Sequence, residues 1–192
     1  MSRGGDDLLG LAQKLSTLRG ERYARAAIVK AEWRKDSCEA TSEPLQILKD
    51  RHGLVIAEAR DGTDTLVTTL LLHGSIRDPF FGSPLAEQSQ AGKGTPPDLW
   101  HVFSKEEITA FVTAAGDSNE LHRGEHPVVP GLLILKQLLA EESFRNCTRL
   151  RLKFHRAAFA EEPLRLAQSG DSLRLLSVER LLCEGIVTRK SK

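Results

Sequence analysis

Residues 116–136 read GDSNELHRGEHPVVPGLLILK, and the reading of this stretch decides the rest. It carries Asp117, Asn119, His122, Glu125 and His126 in a short span, then passes Pro127 and Pro130 into an apolar run from Gly131. Leu132, Leu133, Leu135, Leu138 and Leu139 recur at helical spacing, so a helix starting near Gly131 with a buried face is expected. Upstream, SKEEITAFVTAAG (104–116) predicts a second helix. Ser104 stands as N-cap with Glu107 three residues on, Ile108, Phe111, Val112 and Ala115 form the apolar stripe, and Gly116 is the C-terminal stop. LWHVF (99–103) before it reads as a short strand. Asp117 to Pro130 is therefore a loop held between two helices, the kind of support on which reactive side chains usually sit.

Two chemistries compete for this loop. HRGEH (122–126) has the H-x-x-E-H spacing of a zinc peptidase, but that site needs a helix to bring both imidazoles to one face. Gly124 lies inside the motif, Pro127 biases His126 away from helical dihedrals, and a third ligand is not evident, so no metal is expected. Solvated loop histidines are the plain alternative. The other chemistry is acid–base. A helix N-terminus offers unpaired amides and a partial positive charge, which suits a carbonyl oxygen that becomes negative in a transition state. A carboxylate at 117 and an imidazole at 122 on a constrained loop can supply the acid and the base. Asn119 has the residue type that braces loops through backbone hydrogen bonds. Gly131 permits close backbone approach.

Sliding the chain along itself suggests a repeat. LLGLAQKLSTL (8–18) lies on LLILKQLLAEE (132–142) with Leu8, Leu9, Leu11, Gln13 and Leu15 matching Leu132, Leu133, Leu135, Gln137 and Leu139. An alternating segment follows each, ERYARAAIVKAEW and NCTRLRLKFHRAAF. Then come EPLQILKDRHG and EPLRLAQSGD, and then further strand-like runs. Both copies order as a helix and three or four strands, and chance similarity of leucine-rich helices is the competing explanation. The expected organisation is an N-terminal unit (1–75), a linker rich in Gly, Pro and Ser (76–98) and a C-terminal unit (99–192) that alone has the 117–130 loop ahead of its helix. Arg151, Lys153 and Arg156 read first as a solvated strand face.

The composition is that of an ordinary globular chain: 192 residues, 40% hydrophobic, 28% charged. A net charge of +1 favours neither nucleic acid nor an anionic membrane, and no run approaches the roughly 18 apolar residues of a membrane span. Cys38, Cys147 and Cys183 are widely spaced without a CxxC pair, which reads as reduced cysteine. The start, MSRGGDDLLG, lacks a secretory apolar core, so a cytoplasmic protein is expected.

FSKEEITAFVTAAGDSNELH (103–122) resembles the signature of MaoC-like (R)-specific enoyl-CoA hydratases, in which a helix leads into G-D-x-N-P-[aliphatic]-H. Gly116, Asp117, Asn119, Leu121 and His122 fit, and Glu120 replaces the proline. The continuation HRGEHPVVPGLLILK is similar to the beta-hydroxyacyl-ACP dehydratases, whose H-F-P-G-x-P-x-M-P-G-x-L-x-x-E pattern is met by His122, Pro127, Pro130, Gly131 and Leu133. Lys136 stands where that branch carries its acid. The resemblance implies an α+β hot-dog fold, an antiparallel sheet wrapped around a central helix, and with the repeat a double hot dog. It implies hydration of a 2-enoyl thioester or dehydration of a 3-hydroxyacyl thioester. Asp117 and His122 would be the catalytic pair: in dehydration His122 takes the α proton and Asp117 protonates the departing hydroxyl. Asn119, Val129, Pro130 and Gly131 would lie against the substrate, with the Gly131 amide on the thioester oxygen. No cofactor is implied beyond coenzyme A or acyl carrier protein as the substrate's own carrier. Acyl carrier protein, a second identical chain or a hot-dog heterodimer partner are the partners it suggests. A thioesterase and a non-catalytic partner subunit are the competing functions.

Overall fold

A computed structural model describes residues 4–35, 43–72, 97–178 and 180–190, with 4–7 described by backbone alone. Helix α1 (Gly4–Leu15) is followed by strands β1 (Ala27–Lys35), β2 (Leu45–Arg51), β3 (Leu54–Asp61) and β4 (Asp64–Leu71). Then come β5 (Leu99–Val102), α2 (Lys105–Ala115), α3 (Gly131–Ala140), β6 (Cys147–Phe154), β7 (Pro163–Ser169), β8 (Ser172–Ser177) and β9 (Arg180–Arg189). The α+β class expected from the sequence is what the chain adopts. Most of the expected linker, together with Cys38 and His73, lies outside the described residues.

All nine strands join one sheet in the order β2-β3-β4-β1-β6-β9-β8-β7-β5, and every pairing is antiparallel. Within 27–71 the order is second, third, fourth, first strand, and within 147–189 it is the same sequence read inward from the other side. The halves meet where β1 pairs with β6, with Trp33 opposite Leu150 and Ala31 opposite Leu152. Strand alternation explains the two faces. In β6, Leu150, Leu152 and Phe154 are buried, while Arg149, Arg151 and Lys153 face out. On that outer face Glu32 accepts from Arg149 Nε (2.8 Å) and Arg151 Nε (2.7 Å) across the seam, so Arg151 and Lys153 occupy the solvated side.

The inner face packs on α1 and α3. In α1 the buried residues Leu8, Leu11, Ala12 and Leu15 make one stripe, as an amphipathic helix should. In α3 Leu132, Leu133, Ile134, Leu135 and Leu138 are all buried, and a helix apolar on nearly every side belongs inside a core. Both helices share one cluster with Trp33, Ala57, Leu66, Leu150, Leu173 and Val187 from across the sheet. Among the described residues no helix is long and apolar enough to cross a membrane. Cys147 and Cys183 are buried free thiols, and burial pushes both up from their ordinary range.

Candidate active site

Helix α2 delivers the loop. Ser104 Oγ accepts from the Glu107 amide at 3.1 Å, the expected cap. The reciprocal half of the box is diverted, because the Glu107 carboxylate turns to His101 Nε2 at 3.1 Å. Gly116 closes the helix in the left-handed region (φ 67°), which a residue with a Cβ adopts only under strain, and the Asp117 amide donates back to Val112 O at 3.0 Å.

From there the loop is pinned residue by residue. The Asn119 amide donates to Asp117 Oδ1 (2.9 Å), fixing the carboxylate and leaving its Oδ2 to face inward. Asn119 Oδ1 caps a 3-10 turn (Glu120–His122) by accepting from the Leu121 amide at 3.0 Å, and its Nδ2 donates to Ala26 O at 2.6 Å. The Glu120 amide donates to Ala24 O at 2.8 Å. A proline at 120 would have no hydrogen for that bond, so this departure from the hydratase pattern ties the loop to the N-terminal half. The Arg123 guanidinium donates to Asp117 O at 3.1 Å.

His122 Nδ1 lies 2.8 Å from Val128 O. A carbonyl only accepts, so Nδ1 carries the proton and Nε2 presents a lone pair. That Nε2 is 3.7 Å from Asp117 Oδ2. The imidazole side chain is 11% exposed and the carboxylate 30%. Burial holds His122 below its ordinary pKa, against the opposing pull of the Asp117 charge and the Val128 bond, so the ring is neutral near pH 7.

Both groups line a cavity of about 100 Å³ together with Asn119, Val129, Pro130 and Gly131, so all six residues expected at the site share one enclosure. Gly131 is the first residue of α3, and its amide and that of Leu132 precede any intrahelical carbonyl. The close approach that Gly131 permits is made by the protein itself. A Cβ there would sit 3.2 Å from Phe154 Cζ and 3.5 Å from Ile28 Cβ. Val129 is held in place by its amide bond to Ala158 O at 2.8 Å.

The structure also brings in residues that no sequence signal marks. Ala12, Leu15, Tyr23, Ala26, Ile28 and Leu70 form a wall of the cavity from the N-terminal half. Spread over α1, the turn segment after it, β1 and β4, they carry no local signal. Arg156 also lines it, although the sequence reads it as part of a solvated face. Two other residues stay apart. Lys136, at the position of the dehydratase acid, places its Nζ 5.9 Å from the centre of the Phe111 ring and is not among the cavity-lining residues. His126 is exposed, the segment after the 3-10 turn is not helical, and among the described residues no group of three metal-ligating side chains occurs.

Comparison of the fold with solved structures finds HtdX of Mycobacterium tuberculosis at 15% identity and a TM-score of 0.62, over 98% of this chain and 88% of that one. The full-length peroxisomal multifunctional enzyme type 2 of Drosophila melanogaster aligns at 14% identity and 0.59, over 97% of this chain and 40% of that one. A MaoC-like dehydratase from Phytophthora capsici aligns at 13% and 0.51, over 90% and 72%. No known family's sequence profile and no curated protein matches. These identities speak for architecture alone, and the architecture is plain: the chain has the hot-dog fold, its nine-stranded antiparallel sheet laid over its helices.

Proposed function

We propose that the protein hydrates 2-enoyl thioesters, or dehydrates 3-hydroxyacyl thioesters, at the Asp117–His122 pair. One observation carries the reading: a carboxylate oxygen and an unprotonated imidazole nitrogen lie 3.7 Å apart on an apolar cavity that the first turn of α3 also lines. One water can donate to both acceptors across that gap. In dehydration, His122 Nε2 takes the α proton and the electron pair moves onto the thioester oxygen, which the Gly131 amide and the helix dipole stabilise. The proton crosses the pair to Asp117, which hands it to the β hydroxyl as the carbon–oxygen bond breaks and the double bond forms. Hydration is the same path reversed. The acyl group arrives on coenzyme A or acyl carrier protein, as part of the substrate. The division into an N-terminal unit that supplies a wall and a C-terminal unit that supplies the acid–base loop belongs to the same proposal.

Loss of enoyl absorbance from crotonyl-CoA is the test. Wild type is expected to turn it over, and Asp117→Asn and His122→Ala each to lower the rate at least about a hundredfold. Full activity in both variants overturns the assignment. Release of free thiol from a saturated acyl-CoA at a comparable rate would make the protein a thioesterase instead.

A further inference from the structure

Three helices close the cavity beyond the proposed acid–base pair. On α2 the lining residues are Phe111 and Ala115, one turn apart. Ile108, the preceding residue of the same apolar stripe, is fully buried and lies outside the lining. On α1 the lining reaches back from Leu15 to Ala12, and the fully buried Leu8 and Leu11 stay outside it. On α3 it reaches from Gly131 to Ile134, and the fully buried Leu135 and Leu138 stay outside. Ser16, just past α1, donates from Oγ to Ala115 O at 2.7 Å, so the C-terminal ends of α1 and α2 meet beside the 117–130 loop. Among the described residues, each helix thus lends the turn nearest that loop and seals the turn beyond it.

The blind end is hydrocarbon: Ala12, Phe111 and Ile134. The Phe111 ring is held by the Lys136 ammonium, 5.9 Å from its centre. Phe111 stands six residues before Asp117, and at a helical rise of about 1.5 Å per residue the path from the carboxylate ends after roughly 9 Å. The cavity volume is about 100 Å³. A void of about 150 Å³ takes a benzene ring, so this one takes an acyl group of about four to six carbons.

Resting on the reading of this cavity as a thioester site, we infer that its substrate is a short-chain acyl thioester with a hydrocarbon end, and that Phe111 is the specificity-determining residue that limits chain length.

Calorimetric titration of the full chain with butyryl-CoA, hexanoyl-CoA and decanoyl-CoA tests the limit without depending on turnover. Each methylene that becomes buried is worth about a fourfold gain in affinity, so an open path would favour decanoyl-CoA over hexanoyl-CoA by more than about a hundredfold. Wild type is expected to bind butyryl-CoA and hexanoyl-CoA and to gain no more than about threefold from hexanoyl-CoA to decanoyl-CoA. Phe111→Ala, which adds the space of a phenyl ring at the blind end, should raise the decanoyl-to-hexanoyl ratio at least about tenfold. The inference is overturned by a larger gain in wild type, by a ratio that Phe111→Ala leaves unchanged, or by failure of all three ligands to bind. Should circular dichroism show Phe111→Ala unfolded, Phe111→Leu is read in its place, and its ratio should rise by at least about threefold. A length limit in binding without hydration of crotonyl-CoA would leave this inference standing and count against the hydratase reading alone. Hydration of crotonyl-CoA without a length limit would count against this inference alone.

Discussion

His122 is a buried imidazole with one nitrogen committed to Val128 O, and its pH behaviour follows from that. In the unfolded chain it takes a proton near pH 6.5; in the folded protein burial delays protonation to lower pH. Between those values the unfolded state holds more protons. The stability linked to this group is therefore complete above about pH 6.5 and lost as pH falls from there through the folded pKa. Melting temperatures at about pH 7.5 and 5.5 should show wild type losing more than His122→Gln over that interval, before the carboxylates titrate. An equal loss in both would contradict the burial argument. Asn119 is the other residue whose worth is readable. It is buried and bonded on both sides of its amide, so Asn119→Ala leaves Ala26 O and the Leu121 amide short of partners. Urea unfolding is expected to show a loss of about 2–3 kcal/mol.

At the scale of elements, what the sequence disclosed was local. Helix α2 was legible because its start and stop are written in neighbouring residues, Ser104, Glu107 and Gly116. Helix α3 was legible because only a core tolerates leucine on nearly every side. The same locality hid what lies between elements. Nothing near Glu107 announces that its carboxylate will leave the capping box for His101. Nothing near Glu120 announces an amide bond to Ala24, in the other half of the chain. The loop residues of the site were readable as a cluster, while the opposite wall of the cavity was not, because Ala12 reaches it through the packing of α1 and Ile28 and Leu70 through the β1–β4 pairing. The caps can be tested directly. Ser104→Ala should cost about 1 kcal/mol. Gly116→Ala should cost about 1 kcal/mol or more through its φ of 67° alone, because the added Cβ meets only Ser16 Oγ, at an ordinary 3.7 Å. Equilibrium urea curves measure both, and a neutral Gly116→Ala would contradict the left-handed cap.

For the whole molecule, the decisive contact is the β1–β6 seam. It joins two sets of strands with the same pairing order into one sheet, and it lies over the same core that α1 and α3 share. Cavity lining comes from both sides of it, Leu15 and Ile28 from one half, His122 and Gly131 from the other. If each half had a core of its own, the seam would act as a hinge and the halves would unfold separately. The contacts argue otherwise. Leu150 is fully buried and faces Trp33, which is itself buried and donates from Nε1 to Asp64 Oδ2 at 3.3 Å. A cavity at Leu150 therefore removes contacts from both halves at once. Leu150→Ala is expected to destabilise by about 2–5 kcal/mol. It should do so in a single transition, with far-ultraviolet dichroism and tryptophan fluorescence coinciding along the urea curve. Separation of the two signals, in wild type or in this variant, would mean that the halves fold independently and that the cavity between them is assembled only after each has formed.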